Sequence, residues 1–122
     1  MKENRKLLEL IRGKVLTSVN RAVDYLDFQF EDLILSALAL PTLVNGAEKH
    51  TLDLESFGER TKPLINQRVS LTDEKLSRLE IEFEGGTRLV IPLDVAFPPG
   101  PEMAILSGKG DFIAEWSKPQ EV

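Results

Sequence analysis

The chain has 122 residues, 42% of them hydrophobic and 29% charged, and a formal net charge of −5. That length suits one domain with its own buried core, and the absence of cysteine excludes disulfides, thiolate zinc sites and cysteine nucleophiles. No apolar run approaches the ~20 residues of a membrane span. Glu9 interrupts the apolar stretch behind the basic N-terminus, with no small-residue cleavage site after it, so the chain reads as cytoplasmic and without a signal peptide.

In chain order, residues 2–12 predict a helix, with Leu7, Leu8 and Ile11 at helical spacing and Gly13 where a C-cap stops it. Residues 14–19 predict a short strand and residues 20–24 a turn. Tyr25 to Phe30 alternates strictly, Leu26, Phe28 and Phe30 to one side and Asp27, Gln29 and Glu31 to the other, which is the period of a half-buried strand. A two-residue tip at Glu31-Asp32 sets Phe30 opposite Leu33, Phe28 opposite Leu35 and Leu26 opposite Ala37. Ile34 and Leu38 then fall on the outer face. Pro41 ends this return strand.

Residues 42–62 are the least patterned stretch. Asn45-Gly46 is a turn signal, and residues 53–60 read as a short helix or a loop. Pro63 opens one further turn over residues 64–67, and residues 68–71 predict the next short strand. In the second hairpin a two-residue Gly85-Gly86 loop would set Glu82 against Leu89. A three-residue loop, Glu84-Gly85-Gly86, instead sets Ile81 against Leu89, Leu79 against Ile91 and Glu82 against Arg88, keeping one face apolar. It also puts Gly86 at the left-handed bulge position. Beyond Pro92 runs the connection Phe97-Pro98-Pro99-Gly100-Pro101, then a strand pair within residues 103–116, and a tail from Ser117 expected to fray.

The same pattern occurs twice, in residues 10–41 and 64–92. Leu10-Ile11-x-x-x-Val15 matches Leu64-Ile65-x-x-x-Val69, and Leu26-Asp27-Phe28-Gln29-Phe30-Glu31 matches Leu79-Glu80-Ile81-Glu82-Phe83-Glu84. The offset is 54 at the valines and 53 at the strands. The expected fold is therefore α+β and β-rich: one domain over residues 1–122, with an N-terminal helix and two duplicated strand-hairpin units in an antiparallel sheet, sandwich or partial barrel.

The motifs carry little chemistry. Gly100 and Gly108-Lys109-Gly110 fail as a phosphate loop, since seven residues separate the first two glycines and Gly rather than Ser or Thr follows the lysine. His50 is the only histidine, so no histidine metal cluster can be built, and no Gly-x-Ser-x-Gly elbow marks a nucleophile. No catalytic, cofactor or metal residue is assigned. Nucleic-acid binding is disfavoured, because basic residues are scattered and no strand interleaves them with aromatics.

The first 13 residues carry four basic and two acidic groups, so the remainder, with 11 basic and 18 acidic, has a net charge of −7. Asp27, Glu31 and Asp32 cluster, as do Glu80, Glu82 and Glu84. Such strand positions are ordinarily a solvated sheet face, and the functional alternative is an acidic face that docks a basic protein. The candidate partner contacts are Asp27, Glu31, Asp32, Glu80, Glu82 and Glu84, with Asp53 and Glu55 in the irregular segment. Trp116, on an alternating strand, is expected in the core or half-core.

The Leu-Ile opening, the strand Tyr25 to Phe30, and the second half Leu79 to Leu89 with Pro92 resemble a pattern of small bacterial domains, some of them similar to immunity proteins of polymorphic toxin and contact-dependent inhibition loci. The resemblance spans about residues 10–116 and brings no catalytic motif. It implies a cytoplasmic, non-enzymatic protein, without cofactor, that binds and neutralises one cognate toxin domain, expected to be basic. The alternative is a structural or ligand-binding module, a homodimer built through sheet edges, for which outward Ile34 and Leu38 supply an apolar patch.

Overall fold

Alternating apolar residues can bury one face of a strand only against a second apolar sheet, and this chain makes two. The computed structural model describes residues 6–96 and 100–119. Ten strands are present among the described residues: β1 Leu16–Arg21, β2 Leu26–Phe30, β3 Leu33–Ala37, β4 Thr42–Asn45, β5 Glu48–Thr51, β6 Val69–Glu74, β7 Arg78–Phe83, β8 Arg88–Pro92, β9 Glu102–Gly108 and β10 Asp111–Ser117. One short α-helix, α1 (Phe57–Thr61), lies between β5 and β6. The strands form two antiparallel five-stranded sheets, in the orders β1-β2-β3-β9-β10 and β5-β4-β8-β7-β6. The arrangement is sandwich-like. Leu16, Leu26, Phe28, Phe30, Leu35 and Leu106 of the first sheet meet Leu43, Val69, Leu79, Ile81, Phe83 and Leu89 of the second in one core. The rings of Phe30 and Phe83 stack with centroids 6.3 Å apart.

The two halves of the chain are interlocked. Strands β1 to β3 begin the first sheet, but the β4-β5 hairpin that follows them crosses to the second. Strands β6 to β8 begin the second sheet, and β9-β10 cross to the first. Neither half completes a sheet without the other.

A pseudo-two-fold relation follows from individual hydrogen bonds. The Gly13 N–H donates to the Val69 carbonyl (2.9 Å), and the Asn66 N–H donates to the Leu16 carbonyl (2.7 Å). The Leu16 N–H donates to the Gln67 carbonyl and the Val69 N–H to the Lys14 carbonyl, both at 2.9 Å. Each pair is reproduced by adding 53 to one member and subtracting 53 from the other. The same shift relates the bulges at the start of β1 and β6. Thr17 Oγ1 donates to the Gln29 carbonyl and Ser70 Oγ to the Glu82 carbonyl, each at 3.1 Å. It also relates the left-handed residues Gly13 (φ 82°) and Asn66 (φ 75°), asparagine being a residue that tolerates that conformation.

Several expectations are met. The first hairpin pairs Leu26 with Ala37, Phe28 with Leu35 and Phe30 with Leu33. The second pairs Leu79 with Ile91, Ile81 with Leu89 and Glu82 with Arg88, with Gly86 at φ 97° in its three-residue loop. The terminal strand pair is present as β9 and β10.

Four details are corrected. The repeat aligns Leu16, not Val15, with Val69, so the one-residue slip lies in the hairpin tips, Glu31-Asp32 against Glu84-Gly85-Gly86. Apolar spacing alone tolerates such a shift, whereas the reciprocal bonds fix it. The N-terminal helix is a short 3-10 turn, Leu7–Ile11, because burying Leu8 and Ile11 needs only i, i+3 stacking; residues 1–5 lie outside the described residues. The unpatterned stretch contains the β4-β5 hairpin, turning at Asn45-Gly46. The last strand runs through Ser117, and the remainder of the expected frayed tail beyond residue 119 lies outside the described residues. The Phe97-to-Pro101 connection is described only from Gly100 onward.

Candidate functional site

Because the inner faces are consumed by the core, recognition falls to the outer faces, and the pseudo-two-fold sets these faces against one another position by position. Across the first sheet one cross-strand row reads Gln29–Ile34–Ser107–Phe112 and the next reads Asp27–Ser36–Ile105–Glu115. Across the second sheet the equivalent rows read Glu82–Arg88–Val44–Lys49 and Glu80–Val90–Thr42–Thr51. Tyr25, just before β2, is the counterpart of Arg78. Where the second sheet carries Lys49, Arg78 and Arg88, the first carries Phe112, Tyr25 and Ile34.

The first face carries apolar groups towards one edge: Phe112, on edge strand β10, is 65% exposed, with half-buried Ile105 diagonal to it on β9 and half-buried Ile34 beyond Ser107 in its own row. A bulge at Ile113 produces this arrangement: β10 shifts register between Phe112 and Ala114, so Ile113 and Ala114 turn towards the core while Phe112 stays outside. Carboxylates of Asp27 and Glu115 stand in the neighbouring outer-face row. Ser36 Oγ donates to Asp27 Oδ1 at 2.5 Å, which fixes one carboxylate oxygen.

The second face is charged and concave, with a shallow hollow of about 340 Å³ lined by Thr42, Val44, Lys49, Arg78, Glu80, Arg88 and Val90. Glu80 is its centre, 12% exposed. Arg78 Nε donates to Oε2 and Arg88 Nη1 donates to Oε1 (3.2 Å), and Lys75 Nζ stands 3.7 Å away. The Arg78 hydrogen bond, helped by the positive charges of Lys75, Arg78 and Arg88, outweighs partial desolvation and holds the Glu80 carboxyl below its ordinary range. A lowered folded-state value stabilises the fold above the unfolded value of about pH 4.3, and that stabilisation is lost as pH falls through the lowered value. Glu80→Gln is therefore expected to be less stable than the parent at pH 7, with the gap narrowing as pH falls below about 4.3, the unfolded value. Urea unfolding at pH 7 and along an acid series checks this, and an unchanged gap would contradict it.

The acidic candidates do not assemble into one patch. Asp27 and Glu31 belong to the first sheet and Glu80 and Glu82 to the second, on opposite outer faces of the sandwich, so they do not lie side by side as the duplicated strands suggested. Most already have internal partners. Glu31 Oε2 accepts the Val15 N–H (2.9 Å). Asp32 pairs with Lys14 at 3.2 Å, whose hydrogen bond and charge hold its carboxyl below the ordinary range. Glu84 pairs with Arg68 at 3.8 Å. Asp53 accepts the Ser56 N–H (2.7 Å), the Ser56 hydroxyl and the Glu55 N–H in the turn before α1, and these bonds lower its value as well. Glu82 faces Arg88 across the strand pair, and Glu55 is exposed.

One polar residue that sequence patterning passes over is structural. Glu74 ends β6 on the core side, where Oε2 accepts the Leu8 N–H (2.8 Å) and Oε1 accepts the Trp116 indole N–H (2.9 Å). It thus joins the N-terminal turn, β6 and β10. Glu74→Ala is expected to cost about 1–3 kcal/mol by stranding two donors, and Glu74→Gln, which keeps an acceptor, less. Chemical unfolding followed by the fluorescence of Trp116, the only tryptophan, measures both. Trp116 is half-buried against the core, as expected.

His50 stands 3.7 Å from Glu48 in a second hollow of about 220 Å³, together with Glu59, Arg60 and Thr87. Among the described residues no group of three or more acidic or histidine side chains is placed to hold a metal ion, and no helix is long and apolar enough to cross a membrane.

Comparison of the chain with protein-family models, curated proteins and solved structures finds no match.

Proposed function

We propose that this chain is a binding protein of the immunity type, which occupies a cognate toxin domain by stoichiometric contact and does so through the outer face of its first sheet. The observation that carries the reading is Phe112: a large aromatic, 65% exposed on edge strand β10, with Ile105 diagonal to it and Ile34 beyond Ser107 in the same row. Energetically dominant interface residues are commonly aromatic anchors ringed by polar groups. Here the neighbouring carboxylates are Asp27 and Glu115, on a chain of net charge −5. The matching occupant is a basic toxin surface, whose approach such charges accelerate. A non-enzymatic role and a cytoplasmic location belong to the same reading.

Titration calorimetry with the product of the neighbouring reading frame tests the proposal. The expected result is a 1:1 complex whose affinity falls as ionic strength rises. Absence of a complex, with sedimentation showing self-association instead, would favour a homodimer over an inhibitor.

A further inference from the structure

The pseudo-two-fold supplies an internal control for the hollow on the second sheet. At the positions equivalent to Lys49, Arg78 and Arg88, the first sheet carries Phe112, Tyr25 and Ile34 on the same backbone frame. The frame therefore does not require cations there. Arg78 and Arg88 account for the burial of Glu80, whereas Lys49, lining the same concave surface, takes no part in that pairing.

We infer that this hollow is a second binding site, for the carboxylate groups of an acidic protein segment. Its lining carries three positive charges against the single negative charge of Glu80, within a chain of net charge −5. Glu80 is the organiser: it takes one donor from each guanidinium, Nε of Arg78 and Nη1 of Arg88, and leaves the remaining N–H donors of both forks for another acceptor. Guanidinium forks fixed in this way match the planar, two-oxygen geometry of a carboxylate. Lys49 stands on the opposite wall, and its ammonium makes no hydrogen bond or ion pair among the described residues. Asp73 and Glu82 border Glu80 and Arg88 on the side away from β4, so an anion enters from the Lys49 side. The hollow also presents Val44, Val90 and Thr42, which suit the aliphatic stem of a glutamate. No aromatic ring lines it for a base to stack on.

The site is tested with the full chain, isotopically labelled and titrated in a nuclear magnetic resonance experiment with a blocked oligoglutamate peptide at low salt. The expected result is saturable shifts of the Arg78 and Arg88 Nε–H signals and of the Thr42, Val44 and Lys49 amides. Lys49→Gln, at an exposed edge-strand position, is expected to weaken binding by about tenfold, the loss of one charge-assisted hydrogen bond, without changing the unfolding midpoint. Arg88→Ile, the side chain found at the equivalent position of the first sheet, is expected to abolish it. Phe112→Ala should bind the peptide like the parent, which separates this site from the toxin-docking face. The inference is overturned by shifts that do not saturate, by equal affinity of the Lys49→Gln variant, or by tighter binding of a single-stranded oligonucleotide than of the peptide.

Discussion

Phe30→Ala and Phe83→Ala are each expected to destabilise the fold by about 3–5 kcal/mol, the range for removing a buried aromatic ring from a packed core. Phe30 is fully buried and Phe83 is 1% exposed. Their stacked rings, 6.3 Å between centroids and inclined at 20°, join the two sheets at equivalent positions of the repeat. The losses should be similar for the two variants, since each removes the same element from one half of a pseudo-symmetric pair. In a chain of this length such a loss lowers the unfolding midpoint on the order of 15 °C. A double-mutant cycle should return a coupling of about 0.5–1.5 kcal/mol for the ring pair. Thermal and urea unfolding measure all three quantities. A loss below about 1 kcal/mol in either single variant would mean that the sheets are not held together through these rings.

Phe112→Ala is expected to leave the fold intact and, if the proposed toxin complex forms, to weaken it by about 2 kcal/mol or more, roughly thirtyfold in Kd. The ring lies outside the core, so its removal opens no cavity. Its loss acts on the complex alone, and chiefly on the dissociation rate. Replacing Glu115, at the margin of the same patch, by lysine should instead slow association and reduce its dependence on salt, because rim charges act mainly through the encounter. Stopped-flow association and dissociation measurements separate the two effects. A Phe112→Ala variant that binds like the parent would move the docking surface away from the first sheet.

The hairpins were legible because their alternation is strict and a one-residue slip in either would turn charged groups into the core. The β4-β5 hairpin was not. Its strands are four residues each, and β5 (Glu48–Thr51) is a polar edge strand without alternation, so only Asn45-Gly46 announced it. Polar, short edges of this kind prevent sheet-to-sheet aggregation, and the same feature conceals them from periodicity. The exchange of hairpins between the two sheets leaves no local trace, since Leu38 to Pro41 reads as the end of a strand whichever sheet receives the next one.

The candidate site was legible only as charge. Glu80, Glu82 and Glu84 read as one exposed acidic edge, but the fold brings Arg78 and Arg88 onto the first of them, Glu80, and turns that region into a cationic hollow. Arg78 is only two residues from Glu80, yet the inversion depends on β8 supplying Arg88 from across the strand pair. The exposure of Phe112 depends on a bulge at Ile113 that regular alternation does not predict.

The most direct test of the docking account is methyl resonance spectroscopy of the chain with and without its toxin domain, because the two outer faces carry separate reporters. Ile34 and Ile105 mark the first sheet, and Val44 and Val90 mark the second. The account predicts that adding the toxin domain shifts and broadens the methyl signals of Ile34 and Ile105 while those of Val44 and Val90 stay in place. Movement of Val44 and Val90 with Ile34 and Ile105 unchanged would contradict it.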